Sequence, residues 1–296
     1  MTGPTSPSPR SMLLPALAVT ACGSMWGLYW LPLRWIEALG VGGAWAALLF
    51  NAIAVAATLP WMLSRQRWNG LAQQAVTGLM LGTAFTIYTV SLVLTDVIHA
   101  ILLFYLTPVW STLAGWIFLR ERVTLSRLAA VVLGLAGLWL ILGSDGGLPV
   151  PRNAGDWLAL ASGILWSAGT LLSYARPTTN IALSVLAFAA GGLVASIPVL
   201  ALAIHLDLPL AALDHLMPAL PWVLLVALVI FIPPTFLVLW AAQRMDPGRI
   251  GILLMTEVLF GAMSAAAYSG ESFGPREAMG TAMIVAAGLT EVLGRR

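Results

Sequence analysis

Apolar residues in this chain fall into long uninterrupted runs, not into the short alternations of half-buried strands. A helix needs about 20 mostly apolar residues to cross a hydrocarbon core about 30 Å thick. Ten runs meet or approach that length: Met12–Leu33, Ala44–Leu63, Leu71–Leu94, Val97–Leu119, Leu125–Leu142, Trp157–Tyr174, Ile181–Ile204, Leu220–Ala242, Ile250–Tyr268 and Ala278–Leu293. The fifth and tenth are the shortest, and the gap between the third and fourth is the tightest. A membrane β-barrel would instead show segments of about ten residues with alternating polarity, so the pattern predicts helices. The opening MTGPTSPSPR is polar and Pro-rich, and residues 1–11 are expected to form a disordered tail. The first apolar run is full length, continues into Arg34 and lacks a small-residue cleavage site. It reads as a retained helix, not a signal peptide.

Composition supports a membrane-embedded chain. Of 296 residues, 60% are hydrophobic and only 9% charged, and the mean hydropathy is +0.93. Soluble domains carry about 25% charged residues. The 12 acidic and 14 basic side chains nearly cancel, which leaves no strong field to attract nucleic acid. Cys22 is the single cysteine; it closes no intrachain disulfide, and neither CxxC nor a Cys/His cluster offers a metal site. No cofactor is implied.

All the basic residues are Arg, and their placement sets an orientation. With ten spans, Arg10, Arg65, Arg67, Arg120, Arg122, Arg127, Arg176, Arg244, Arg249, Arg295 and Arg296 fall on one side. Only Arg34, Arg152 and Arg276 fall on the other. Both termini are therefore expected in the cytoplasm of a multi-pass protein of a bacterial inner (plasma) membrane.

Comparing the chain with itself gives a match at an offset near 140–150 residues. ACGSMWG (Ala21–Gly27) aligns with ASGILWS (Ala161–Ser167), setting Trp26 on Trp166. LTPVW (Leu106–Trp110) faces MTEVL (Met255–Leu259), so Thr107 meets Thr256. The loops RERVTLSR and SGESFGPR pair Glu121 with Glu271 when one residue is inserted. Two units result, residues 12–147 and 148–296, each with five helices. An odd number makes the second unit enter the membrane from the opposite face. The predicted fold is thus an all-α integral membrane bundle of ten transmembrane helices arranged as two inverted repeats. Transporters commonly use this plan, because exchanging the conformations of similar halves alternates the open face; a duplication that merely enlarged the bundle is the other reading.

Trp26–Gly27, the run YLTPVWSTLAGWIFLRERVT (Tyr105–Thr124) and the Gly/Ala-rich stretch after it resemble the drug/metabolite transporter superfamily. The chain is similar to its EamA-type members over nearly all its length. It departs in the ninth run, where Glu257 replaces a usual Pro. Within the superfamily, the aromatic-rich central runs most resemble the YddG-type exporters of aromatic amino acids. That resemblance implies a central cavity among the first, third, fourth, sixth, eighth and ninth spans, with the fifth and tenth peripheral.

Polar groups inside hydrocarbon are costly and usually face a cavity or a bundle interior. Glu257 is the one acid placed well within a span. At that depth an unpaired carboxylate is strongly disfavoured, so it should gain a partner or hold a proton. It reads as a ligand for a substrate ammonium, a proton-coupling group, or a neutral structural tie. The third run carries Thr77, Leu81, Ala84, Tyr88, Ser91 and Thr95 at helical spacing. That stripe should face inward, with Thr77, Tyr88 and Ser91 available to substrate or to ordinary interhelical bonding. His99, beside Asp96, reads as a turn cap lining the outer vestibule, or as a proton relay. Trp26, Trp110 and Trp166 lie deeper than the interfacial tryptophans and suit a planar apolar ligand, or simply symmetric packing. Pro108 and Pro233–Pro234 lie within runs, where they free backbone carbonyls and act as hinges or permanent kinks.

The resulting expectation is a non-enzymatic exporter of amino acids, aromatic and other mostly neutral ones, working by alternating access. A hydrophobic drug or another small metabolite carried by the same fold is the alternative. Phosphorylated substrates would want buried Arg or Lys, and none of the spans holds one centrally. An intramembrane protease would need HExxH or paired buried Asp residues, and neither occurs. The partners implied are a small-molecule substrate and the lipid bilayer, without nucleic acid; ten helices suffice for a monomeric pathway.

Overall fold

The computed structural model describes residues 9–62, 70–95, 100, 103–120, 123–142, 151–178, 180–205, 213–268 and 274–293. Its helices are α1 Pro9–Gly27, α2 Trp30–Ala38, α3 Gly43–Thr58, α4 Leu71–Leu94, α5 Thr107–Leu119, α6 Leu125–Leu142 and α7 Ala154–Ala175. They continue as α8 Ile181–His205, α9 Leu213–Val226, α10 Ile232–Ala242, α11 Pro247–Leu254, α12 Thr256–Tyr268 and α13 Pro275–Leu293. Among the described residues there is no strand. Five helical stretches are long and apolar enough to cross a bilayer: Leu13–Ala38, Gly43–Met62, Ala154–Ala175, Ile181–Leu202 and Leu216–Ala242. Leu125–Leu140 and Ala278–Thr290 are shorter apolar helices. With no water to satisfy backbone groups in hydrocarbon, helix is the form such runs must take.

Several predicted runs are interrupted. The first breaks at Leu28–Tyr29, separating α1 from α2, and its helix reaches back to Pro9, inside the expected tail. The fourth turns at Tyr105–Leu106 before α5 begins, and the ninth breaks at Met255 between α11 and α12. The eighth passes through one wider π-helical turn, Ala227–Phe231. Pro108 therefore lies in the first turn of α5, and Pro233–Pro234 in the first turn of α10. At Pro108 the missing N–H would have had no intrahelical partner, and the helix break precedes it at Tyr105–Leu106. Pro233–Pro234 lie in a helix that runs on through the π-helical turn without a break.

The core is built from close crossings. α4 packs along α8 and α7, and α3 along α8. α1 packs on α12, α10 and α11, whereas α5 packs on α7 and α11. α6 and α13 lie chiefly on each other, and each touches α11 as well. Small residues permit this approach: Gly82 of α4 abuts the Phe188 carbonyl and Gly192 N of α8, and Gly137 of α6 abuts Gly280 O and Ile284 of α13. The stripe expected to face inward does so, with Thr77, Leu81, Ala84, Tyr88 and Ser91 all buried.

Hydrogen bonds gather helix ends into two faces. At one end Arg127, early in α6, pairs with Asp246 at 2.6 Å, and Asp246 also caps α11 through Arg249 N at 3.0 Å. Gln243 receives Thr178 N there at 2.9 Å. At the other end Asp156, in the first turn of α7, receives the Thr95 hydroxyl at 2.6 Å and Arg152 N at 2.7 Å.

Two outcomes follow for purified protein in detergent. Gly82→Leu should cost about 1–3 kcal/mol by overpacking against the α8 backbone, seen as a lower melting temperature, whereas Gly288→Ala, with open space around its Cα, should stay within about 0.5 kcal/mol of the parent. Asp246→Ala should cost about 3–5 kcal/mol, because it removes the carboxylate that pairs with the buried Arg127 guanidinium; Arg127→Met with Asp246→Leu should recover much of that loss.

Candidate functional site

The two interrupted runs meet in the middle of the molecule. Breaking a helix inside hydrocarbon leaves backbone groups that only the protein itself can satisfy. Thr107, first in α5, donates from its hydroxyl to Phe104 O, and Ser167 of α7 reaches Thr107 O at 3.2 Å. In the second half the Thr256 hydroxyl, first in α12, lies 2.9 Å from Leu253 O and 3.2 Å from Thr20 O of α1. Glycines allow both approaches. A Cβ on Gly23 of α1 would strike the Thr256 hydroxyl, and one on Gly163 of α7 would fall 3.3 Å from the Thr107 hydroxyl. Gly23 and Gly163 occupy matching positions in the aligned segments Ala21–Gly27 and Ala161–Ser167.

Glu257 lies in the first turn of α12 and is half-buried. The unpaired N–H groups and dipole of a helix start favour an acidic group there. Gly27 of α1 lets its backbone lie against Glu257 O. The carboxylate meets the Tyr105 hydroxyl at 2.5 Å, and the same hydroxyl is 3.1 Å from Leu254 O. Leu254 ends α11, and beyond the break Val258 N turns to Met255 O. Tyr105 therefore ties the break in one half to the break in the other.

Aromatic rings extend from this point through the core. Phe104 meets Tyr105 edge-on with centroids 5.3 Å apart, Tyr88 at 4.3 Å and Trp166 at 6.4 Å. Trp166 meets Trp26 edge-on at 5.9 Å, and Trp26 meets Phe85 at 6.1 Å. Phe85 continues to Tyr29, Phe188 and Phe231. Offset and edge contacts of this kind add about 0.5–1.5 kcal/mol per pair beyond burial. Within the cluster the indole N–H of Trp26, that of Trp166 and the Tyr29 hydroxyl are buried without a hydrogen-bond partner among the described residues. Leaving such a donor unpaired costs about 1–3 kcal/mol. These donors lie among aromatic rings whose contacts run through Phe104 to Tyr105, the partner of Glu257.

The expected site residues thus separate into three groups. Glu257, Tyr88, Trp26 and Trp166 come together. Ser91 and Thr77 are buried but bond within α4, to Tyr88 O at 2.7 Å and Gln73 O at 3.3 Å, and Trp110 of α5 joins none of the ring contacts of this cluster. His99 lies outside the described residues. Tyr105, Phe104, Phe85 and Tyr29 belong to the site and were not singled out as candidates. The available signal was the tyrosine that precedes the repeated Thr107, in the run with the strongest repeat match. No group of three or more His, Cys, Asp or Glu residues that could hold a metal occurs among the described residues.

The chain matches the EamA-like transporter family twice, over residues 13–143 and again over 153–290. None of the curated proteins matches it. A crystal structure of another protein superposes with a TM-score of 0.68 at 22% identity, covering 94% of this chain and 98% of that one; at that identity the likeness is one of fold. This chain belongs to the EamA-like transporter family, within the drug/metabolite transporter superfamily. It is a membrane protein of a family of small-molecule transporters.

Since the Trp166 indole N–H bonds to no described residue, Trp166→Phe forfeits no hydrogen bond and should cost less than about 2 kcal/mol, against about 3–5 kcal/mol for Trp166→Ala. Melting curves in detergent check the difference; equal losses would mean that the N–H has a structural partner.

Proposed function

We propose that this member of the EamA-like transporter family exports amino acids, aromatic and other mostly neutral ones, across a bacterial inner membrane by alternating access. One observation carries the reading: a carboxylate, Glu257, stands at the end of an aromatic-walled core whose buried indole N–H donors have no partner among the described residues. A zwitterion with an apolar side chain answers each feature. Its ammonium suits Glu257, its carboxylate suits the N–H donors of Trp26 and Trp166, and its side chain suits the rings. Among the described residues, the buried cations that would favour phosphorylated substrates are Arg127 and Arg249, which cluster about Asp246 at the bundle end.

The reading takes residues 12–147 and 148–296 as inverted halves with both termini in the cytoplasm. The two separate family matches support that division. So do the reciprocal crossings: α1 with α11–α12 mirrors α7 with α5, and α1 with α10 mirrors α7 with α4. The breaks at Tyr105–Leu106 and Met255, with the π-helical turn before Pro233–Pro234, serve as hinges about which the halves rock.

The test is uptake of labelled phenylalanine and a panel of other neutral amino acids into proteoliposomes. Saturable flux is expected, and Glu257→Gln should lower it about tenfold or more, the loss of a charge-assisted contact, with melting temperature retained. Saturable flux of none of them would overturn amino acid export. Selective stabilisation of the protein by hydrophobic drugs in the same preparation would then identify the other substrate class.

A further inference from the structure

The Tyr105 hydroxyl, 1% exposed with its residue, carries one proton and faces two acceptors, Glu257 Oε2 at 2.5 Å and Leu254 O at 3.1 Å. A hydroxyl donates once and accepts through its lone pairs. Without a second proton the two acceptors share one; both contacts are full two-centre hydrogen bonds only when Glu257 supplies it. The neutral carboxyl then donates to Tyr105 Oη, and Tyr105 donates to Leu254 O. When Glu257 is ionised, the tyrosine proton turns to the carboxylate, and Leu254 O, the last carbonyl of α11, loses its donor. An unpaired buried carbonyl is unfavourable, so the charge on Glu257 and the seam between the two helix breaks are linked.

We propose that Tyr105 is a positioning residue that couples the proton on Glu257 to the joint between the broken helices. With the proton present, the chain Glu257–Tyr105–Leu254 is closed and the halves are latched at their centre. Release of that proton to the aqueous passage opens the latch, leaving the single Tyr105 proton to serve the carboxylate while the Leu254 carbonyl lacks a donor. A substrate ammonium brings the missing donor, so proton and ammonium substitute for one another at the same joint. The inference rests on amino acid export as the function of the site and adds its energy coupling: substrate moves one way as a proton moves the other.

The surrounding groups leave Glu257 as the switch. Tyr88 of α4 is within electrostatic range of it, as is Tyr105, and both are phenols. The thiol of Cys22 on α1 is turned to Pro234 O of α10 at 3.1 Å. Asp246 and Arg127 stand at the opposite end of α11, whose eight residues span about 12 Å. α13, which also packs against α12, carries its charged residues near its two ends, Arg276 and Glu277 at the start and Glu291 at the close.

Two measurements on the full-length protein test the inference. Infrared absorption of the substrate-free, purified protein should show a protonated carboxyl C=O band that Glu257→Gln deletes and that Tyr105→Phe moves to higher frequency. Absence of such a band between mildly acidic and mildly alkaline pH, or a band unmoved by Tyr105→Phe, overturns the latch. In proteoliposomes loaded at acidic pH in an alkaline medium, the ratio of phenylalanine uptake with the gradient to uptake without it should be about fivefold or more. In Tyr105→Phe that ratio should fall to near one, whatever the absolute rate. A wild-type ratio of one, or an unchanged ratio in the variant, overturns the coupling. If the infrared result holds while no amino acid moves, the latch stands and the substrate assignment fails.

Discussion

Inside hydrocarbon, every backbone N–H and C=O must find its partner within the protein, and the rest of this architecture depends on how two broken helices meet that requirement. The breaks at Tyr105–Leu106 and Met255 occur where the repeated Thr107 and Thr256 restart a helix. Each threonine turns its hydroxyl back onto a carbonyl of the preceding turn. Each break is also covered by a helix of the other half, α7 over Thr107 and α1 over Thr256. Glycines at matching positions, Gly163 and Gly23, let those helices come close enough. Neither half satisfies its own break alone. That reciprocity fits the proposed inverted pairing, and it explains how irregular backbone is tolerated between packed helices.

The chemistry of the site follows from the same breaks. Starting α12 at Thr256 puts Glu257 in a helix first turn, where an acidic group is favoured. Ending α11 at Leu254 presents a carbonyl to the Tyr105 hydroxyl. Turning the chain at Tyr105–Leu106 brings Phe104 and Tyr105 edge-to-face and into the ring contacts that lead to Trp166 and Trp26. A continuous fourth or ninth helix would have spread these groups along separate faces. The ion pair of Arg127 with Asp246 lies at one end and shapes the boundary, not the centre.

Much of the fold was legible in the chain itself, because hydrocarbon imposes a length and a polarity that composition records directly. Leu71–Leu94 and Leu125–Leu142 form helices with the bounds their apolar runs predict. The breaks were less legible. Nothing about Met255, a good helix former, marks it as a stopping point, and at Tyr105–Leu106 the one signal is Pro108, two residues on and suited to a helix first turn. These breaks are set by tertiary partners, the Leu254 carbonyl meeting Tyr105 and the Thr256 hydroxyl meeting Thr20 O, which lie 149 and 236 residues apart in sequence. Glu257 stood out because an acid is conspicuous in an apolar span. Tyr105 did not, since a lone tyrosine in such a span reads as packing until its two acceptors are seen. Ser91 and Thr77 show the converse: buried hydroxyls at the expected spacing, satisfied by their own helix.

The central claim is that two five-helix halves are threaded in opposite senses around a shared core. Its most direct test is the sidedness of the two ends, read with reporters fused to the amino and carboxyl termini of the full chain in a bacterial membrane. Two odd-numbered halves place both reporters in the cytoplasm. One reporter inside and one outside would contradict the inverted arrangement.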